Sequence, residues 1–237
     1  GAAPVRGKPM AAGWSVLPGL MLRGRADHVT AKGEVRRIAL PDGSAATLGP
    51  DSALALDFGP GRRDLALLQG LAFFEVAADP RRPFAVRVGH VTATAVGTAF
   101  DVADDAGIVA VSVRQGLVEA RAPEPGLTDG RTLAAGDWIT VDPSAHEVDR
   151  GRRPPDQIAA WRDNLIVADR ETVRALVGRI GRWIPGTVIL ADPFVGAQRV
   201  SGLFDLADPV SALEAVVHPA GARVRQVSSF LTVVSPI

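Results

Sequence analysis

The sequence contains no cysteine, and this absence excludes three kinds of chemistry at once. Disulfide frameworks, thiolate metal sites and cysteine nucleophiles all need that side chain. Tyrosine is also absent, and the only aromatic residues are four tryptophans and eight phenylalanines. So few aromatic rings argue against a stacking surface for sugars or single-stranded nucleic acid. Neither absence fixes the compartment in which the protein works.

The chain also lacks an excess of charge of either sign and a long apolar run. Lysine and arginine together number 26, as do aspartate and glutamate, so no general attraction to nucleic acid or anionic lipid is expected. No apolar run reaches the ~18 residues that span a bilayer. The nearest, Met10 to Leu22, is interrupted by Gly13 and Pro18. Residues 1–28 are predicted to be a lead-in beside a membrane span or the remnant of a tag.

Motifs for catalysis and for ligand binding are missing as well. There is no G-x-S-x-G, H-E-x-x-H or Walker motif, and the four histidines fall in turns or at segment ends. Asp104-Asp105 is an isolated carboxylate pair, and the following Ala106-Gly107 favours a hairpin turn over a cation site. The sequence therefore predicts no metal site, no cofactor and no enzyme that turns over a substrate.

Residues 29–149 have the pattern of an all-β domain. Short runs of β-branched residues or leucine alternate with turn pairs such as Asp42-Gly43 and Gln115-Gly116. Two of the predicted strands are Asp64–Leu68 and Ala72–Val76, and the pattern leaves no room for a helix of useful length. We expect a sandwich or a solenoid-like meander, with Phe73, Phe74, Phe84 and Phe100 in its core.

The pattern changes after a linker rich in arginine and proline at residues 150–160, where Pro154-Pro155 fits neither a helix nor a central strand. Residues 161–237 are predicted to form a small α+β domain, in which two helices cover one face of a sheet. Asp208-Pro209 supplies the N-cap and first residue of the second helix. The predicted order is β-α-β-β-α-β-β, with strands at Leu165–Val167, Thr187–Leu190, Arg199–Phe204, Val224–Val227 and Leu231–Val234 and helices at Arg170–Ile184 and Val210–Val217.

Several segments of the all-β region resemble the FecR domain. They are Gly33 to Ser44, Leu67 to Val76 with its GLAFFEVA core, Arg82 to Val86, Val96 to Val102, Val111 to Val118 and Leu133 to Asp137. Residues after Trp161 resemble the small secretin/TonB N-terminal-like domain, here called STN-like, that often follows a FecR domain.

The resemblance implies the periplasmic part of a single-pass inner-membrane anti-sigma regulator. Its expected partner is the N-terminal signalling domain of a TonB-dependent outer-membrane receptor, commonly one for ferric siderophores or haem. A cytoplasmic segment outside the present sequence would bind an ECF sigma factor. The alternative is a carbohydrate- or other ligand-binding β-domain with an α+β interaction module.

Partner binding is predicted for strand edges of the second domain, because an exposed edge can pair with a strand of another protein. The candidate edges are Arg199–Phe204 and the last hairpin. The candidate apolar anchors are Val200, Leu203, Phe204 and Leu231. The alternative for each of these residues is an ordinary place in the core.

The resemblance also draws attention to the Gly97-Thr98 bond, since some members of the family are reported to cleave themselves at the matching bond. The Thr98 hydroxyl can attack the Gly97 carbonyl if the backbone is bent, and glycine tolerates the required φ. Such cleavage would be a single maturation event. The alternative is a bulge or tight bend between two strands.

Overall fold

The computed structural model describes residues 24–237. The predicted lead-in, including the Met10 to Leu22 run, lies almost wholly outside the described residues. Within them, no helix is both long enough and apolar enough to cross a membrane.

Residues 28–152, hereafter the β-unit, form thirteen strands of one curled sheet without an intervening helix, which confirms the predicted mainly-β fold. Its strands run in the order β11-β10-β7-β6-β5-β8-β9-β12-β13, and β1 to β4 pair beside β5. The bounds are β1 (His28–Val29), β2 (Arg36–Ala39), β3 (Ala45–Leu48), β4 (Ala53–Gly59), β5 (Arg62–Glu75), β6 (Phe84–Val88), β7 (Val91–Ala95), β8 (Ala99–Asp105), β9 (Ile108–Gln115), β10 (Leu117–Arg121), β11 (Arg131–Ala134), β12 (Asp137–Asp142) and β13 (Glu147–Arg152).

Strand β5 is the long central element, and it corrects the prediction of two separate strands at Asp64–Leu68 and Ala72–Val76. It continues through Gly70, which adopts φ +97°. Its first half pairs with β4 and β6, and its second half pairs with β3 and β8. Ser52 fills the space beside Gly70, and its hydroxyl both donates to the Leu71 carbonyl and accepts from the Leu71 amide. Glycine therefore bends the strand without ending it.

The strands β5, β8 and β9 are packed on both faces. Phe74, Phe100 and Val111 point into the core of the β-unit. Side chains on the opposite face of these strands, among them Phe73 and Ala103, instead join a second core with residues beyond 157. Because side chains alternate between the faces of a strand, one layer of backbone serves both cores. We call these three strands the shared wall.

Residues 161–237, hereafter the C-terminal segment, differ from the prediction in two ways. They form two small sheets instead of one, with orders β14-β16 and β15-β18-β17, and they contain an unpredicted short helix α2. The elements are β14 (Leu165–Thr172), α1 (Val173–Ile180), β15 (Thr187–Leu190), α2 (Pro193–Ala197), β16 (Arg199–Asp205), α3 (Pro209–Val217), β17 (Ala222–Ser228) and β18 (Leu231–Pro236).

Helix α1 is shorter than the predicted Arg170–Ile184 helix at both ends, because residues 170–172 remain in β14 and residues 181–184 form turns after Ile180. There Glu171 and Thr172 pair with Val200 and Arg199 of β16. The Thr172 hydroxyl then accepts a hydrogen bond from the Ala175 amide at 3.3 Å and caps the helix. The predicted apolar face, which includes Leu176 and Ile180, is buried. Asp208 caps α3 ahead of Pro209, as predicted.

Residues 153–164 connect the two parts through short 3₁₀ turns at Pro155–Gln157 and Ala160–Asp163. Ile158 and Trp161 are buried in the second core with Phe73 of the shared wall. This connection is therefore packed along part of its length, and the predicted domain boundaries stay predictions.

We predict that Gly70→Ala destabilises the fold by at least about 3 kcal/mol, since it adds both steric overlap and strain at positive φ. An added Cβ would lie 2.1 Å from Ser52 Oγ and 2.5 Å from Ser52 Cα. Gly61→Ala is the matched control because a Cβ there meets open space, and its cost should stay within about 0.5 kcal/mol. Denaturant unfolding measures both, and equal midpoints for the two variants would refute this account of β5.

Candidate functional site

The Gly97-Thr98 bond lies in a bend between β7 and β8. Gly97 has φ +74°, and the Thr98 carbonyl accepts a hydrogen bond from the Val76 amide at 2.8 Å. Thr98 is buried, and its hydroxyl has no hydrogen-bond partner among residues 24–237. Buried polar atoms normally have such a partner. The bend thus presents a buried, unbonded hydroxyl next to the carbonyl that it would attack.

Two small residues enclose this bond from different parts of the chain. A Cβ on Gly97 would lie 2.9 Å from the Ala78 Cβ. A Cβ on Gly116, in the turn between β9 and β10, would lie 2.8 Å from Thr98 Cγ2 and 3.3 Å from the Gly97 carbonyl oxygen. None of these nearest atoms belongs to an ionisable side chain. These close contacts restrict the space on both sides of the peptide.

Strand β8 runs from this bend into the contact with the C-terminal segment. On its outer side Asp101 accepts a hydrogen bond from the Trp161 indole nitrogen at 2.9 Å. Burial raises the pKa of Asp101 to about 7, although the Trp161 hydrogen bond and the Arg179 charge oppose the rise. A carboxyl group of the FecR-like run Val96 to Val102 is thus placed against the segment, which the sequence analysis did not anticipate.

Further along the same face, Asp105 is only 1% exposed and pairs with Arg179 of α1 at 2.7 Å. Arg179 also pairs with Glu171 of β14 at 2.9 Å. Burial lowers the pKa of Arg179, but the charges of Asp105 and Glu171 outweigh it and raise the pKa, so the guanidinium stays charged. We call Asp101, Asp105, Trp161, Glu171 and Arg179 the joint.

Three close contacts next to the joint fix how α1 and the residues after it approach the β-unit. A Cβ on Gly178 would lie 3.2 Å from Ala106 in the β8–β9 turn, so the helix approaches that turn closely. Lys32 donates to the Gly181 carbonyl at 2.8 Å, and the Gly33 amide donates to the Arg182 carbonyl at 3.0 Å. The start of the FecR-like sequence therefore binds the end of α1.

The predicted partner-binding residues do not form a single patch. Leu203 is 67% exposed on β16, whereas Phe204 is 6% exposed in the second core, and Val200 packs partly against that core. Leu231 is half-buried on β18, which is paired on both edges and so offers no free edge to an added strand. A partner could reach Leu231 only through the face of the sheet.

That face is the outer side of the sheet β15-β18-β17. Leu231 and Val233 alternate with the buried Thr232 and Val234, and Ile189 pairs beside Val233. On β17, Arg223 and Arg225 lie opposite Ser235 and Val233 and are exposed. We call Ile189, Leu231, Val233, Arg223 and Arg225 the outer face. Exposed Phe230 and Val227 adjoin the outer face at the hairpin. Ile189 was not predicted as a binding residue, although the alternation of the strand that begins at Thr187 could have indicated that it is exposed.

The described residues offer little for the other chemistries considered. No group of three or more histidine, aspartate or glutamate side chains in residues 24–237 is placed to hold a metal ion. Two wide surface grooves of about 450 and 600 Å³ have no aromatic side chain in their lining, which is unfavourable for stacking on a sugar. Trp138 lines two small pockets of about 30 and 40 Å³, and Trp161 lines the larger of the two.

Comparison with known proteins gives a family-model match over most of the β-unit and a shared fold for nearly the whole chain. The family model described as FecR protein matches residues 26–119. No curated protein matches the sequence.

Two crystal structures of a "putative anti-sigma factor" from Parabacteroides distasonis ATCC 8503 share the fold. Their TM-scores are 0.77 and 0.76, each at 24% sequence identity. Each match covers 89% of this chain and 98% of the other. The shared fold thus includes the C-terminal segment.

The pKa of Asp101 leads to a prediction about pH. The pKa of Asp101 is 3.8 in the unfolded chain and about 7 in the folded protein. At a pH between these two values the folded protein holds a proton that the unfolded chain has released, so raising the pH across this range destabilises the fold. Asp101→Asn keeps the acceptor for Trp161 and cannot titrate. The melting temperature of Asp101→Asn, relative to that of the wild type, should therefore rise as the pH is raised from about 5 to about 8. Exposed Asp156→Asn is the control, and parallel pH profiles for wild type and Asp101→Asn would contradict this prediction.

Proposed function

We propose that this protein is the periplasmic, signal-transducing part of a transmembrane anti-sigma regulator. The observation that carries the proposal is the match of the FecR family model to residues 26–119, within a fold shared with a "putative anti-sigma factor" of Parabacteroides distasonis ATCC 8503. The sigma factor, of the ECF class, would be bound by a cytoplasmic segment outside this sequence. The signal would come from the N-terminal signalling domain of a TonB-dependent outer-membrane receptor, for siderophore-dependent iron uptake.

The joint supports a relay because it couples the two parts of the chain through buried charges. Arg179 pairs with both Asp105 and Glu171, and a charge left without its partner in a buried site is costly. Movement of α1 therefore cannot leave β8 unaffected. A receptor domain that binds the C-terminal segment would bias the β-unit through this contact.

The outer face is the surface that we assign to the receptor domain. It combines an apolar centre at Ile189, Leu231 and Val233 with two exposed arginines. No ion pair involves Arg223 or Arg225 within the described chain. An apolar patch with a cationic border suits a partner surface that is apolar and acidic. Leu203 lies on the other sheet of the segment and provides a second, separate anchor.

The Gly97-Thr98 bend is proposed to be a self-cleavage site that acts once per chain. Positive φ at Gly97 and the unbonded Thr98 hydroxyl support this reaction. After cleavage, β8 would still pair with β5 along Gly70–Glu75. The two fragments would therefore remain associated in the native state.

Calorimetry with candidate receptor signalling domains tests the partner and the surface. Leu231→Asp should weaken binding by roughly tenfold or more, because it places a charge in an apolar centre and repels an acidic partner. Leu203→Asp should also weaken it, and exposed Leu117→Asp on the β-unit is the matched control. Deleting the segment is a poor test, because its residues share a core with β5 and β8.

Two results would count against this assignment in different ways. If Leu231→Asp and Leu203→Asp both bind as the wild type does, the assigned surface is wrong and the proposed partner still stands. A wild-type protein that binds none of the receptor domains removes the partner itself.

Mass spectrometry under denaturing conditions tests self-cleavage. After incubation the wild type should yield two fragments that divide between residues 97 and 98, whereas Thr98→Ala should stay intact because it lacks the nucleophile. Thr98→Ser should still cleave, and Thr94→Ala on β7 is the control. Native size exclusion should show the wild-type fragments in one peak. A wild-type chain that remains intact rules the reaction out.

A further inference from the structure

Arg63 of β5 is a fully buried charge outside the sites described so far. Its side chain is 0% exposed, and it pairs with Asp42 at 2.8 Å. The same guanidinium donates to the carbonyl oxygens of Ala77 at 2.8 Å, Arg82 at 2.6 Å and Asp79 at 3.4 Å. Three of its four acceptors thus lie in residues 76–82, which we call the covering loop. Arg63 holds this loop closed from inside the protein.

Asp42 holds the covering loop from its other side, through Ser44. The Ser44 hydroxyl donates to Asp42 at 2.7 Å and accepts from the Ala77 amide at 2.9 Å. Burial raises the pKa of Asp42, but hydrogen bonds from Ser44 and Arg63 outweigh it and hold the pKa below its usual range. The ion pair is therefore charged at neutral pH and fully hydrogen-bonded, which is the condition for a buried pair to persist.

The covering loop contacts both residues of the Gly97-Thr98 bond. The Val76 amide donates to the Thr98 carbonyl at 2.8 Å, and Ala78 occupies the space where a Gly97 side chain would lie. Gly116 closes the other side against Thr98. Displacement of the loop would consequently release the bend that brings the Thr98 hydroxyl next to the Gly97 carbonyl.

We propose that Arg63 and Asp42 are positioning residues for self-cleavage: their ion pair presses the covering loop, through Ala78 and Val76, against the Gly97-Thr98 bond. This inference rests on the self-cleavage proposed above. Neither residue touches the reacting atoms, and both act through the loop. Ala78 is itself exposed, so its contact with Gly97 can be altered without opening the core.

The reaction balances with water as its only co-reactant. Thr98 Oγ forms a bond to the Gly97 carbonyl carbon, the bond from that carbon to the Thr98 nitrogen breaks, and the hydroxyl proton passes to that nitrogen. The product is an ester with a free Thr98 amine. Water then adds to the ester carbonyl, restores the Thr98 hydroxyl and leaves a Gly97 carboxylate. No oxidation occurs, and the geometry before the first bond forms is the part that the loop controls.

The test compares the rate of fragment formation with the melting temperature in a set of variants. A misplacement of about 1 Å costs a reaction roughly 100-fold in rate. Arg63→Met should therefore slow cleavage by roughly tenfold to 100-fold, with partial rescue in Arg63→Lys, which restores the charge. Ala78→Gly should slow it by about tenfold at a nearly unchanged melting temperature. Ala145→Gly, in another exposed turn, should change neither quantity.

Hydroxylamine separates the two chemical steps, because it captures the ester as a hydroxamate on Gly97. Arg63→Met and Ala78→Gly should give less hydroxamate than the wild type at every pH, because the loop acts before the ester forms. If Arg63→Met does not fold, Ala78→Gly decides the question.

If folded Arg63→Met or Ala78→Gly cleaves at the wild-type rate, the positioning role is wrong, whereas the self-cleavage proposal still stands. A wild-type chain that neither cleaves nor forms a captured ester overturns both.

Discussion

The structure depends on the burial of carboxylates on one face of the shared wall. A sheet that faced water on that side could carry Asp101 and Asp105 without further cost. Here the face is covered, so these groups need partners: the Trp161 indole donates to Asp101, and Arg179 pairs with Asp105. Glu171 pairs with the same guanidinium. The docking of the C-terminal segment onto the β-unit follows from this requirement together with the apolar contacts of Phe73 and Ala103. Replacing one partner alone would leave a charge uncompensated.

Strand β8 places the two functional features of the β-unit on one element. Its first residues follow the Gly97-Thr98 bend, and its later residues belong to the joint. The opposite face of the same strand is anchored by Phe100 and Val102 in the core of the β-unit. A signal that reached α1 would act on this rigid strand, and a cut before Ala99 would leave the strand in place. This arrangement is the one that the proposed relay requires.

Much of the fold could be predicted from local sequence signals. Alternation and turn pairs predicted most strands of the β-unit but not β1, β11 or β13, and Asp208-Pro209 marked the start of α3. The failures came from contacts between distant residues. Gly70 looked like a turn because its role as a bend depends on Ser52, and residues 170–172 looked helical because their pairing with β16 is invisible locally.

The candidate site was predictable to a similar extent. The bend at Gly97-Thr98 was identified from the resemblance, and Leu203 and Leu231 lie on or near the surface of the segment. Phe204 is a core residue because the alternation of β16 turns it inward. The joint and the Arg63–Asp42 pair were missed, since a buried aspartate has the same local pattern as an exposed one. Its partner, Arg179, is 74 residues from Asp105.

The central claim is that the β-unit and the C-terminal segment are one cooperative body, held together by the shared wall and the joint. Hydrogen exchange in increasing denaturant, followed by mass spectrometry of peptides from β8 and α1, measures this directly. The account predicts that both peptides open with the same free energy and the same dependence on denaturant. Opening of α1 at a distinctly lower free energy, with β8 still protected, would contradict it.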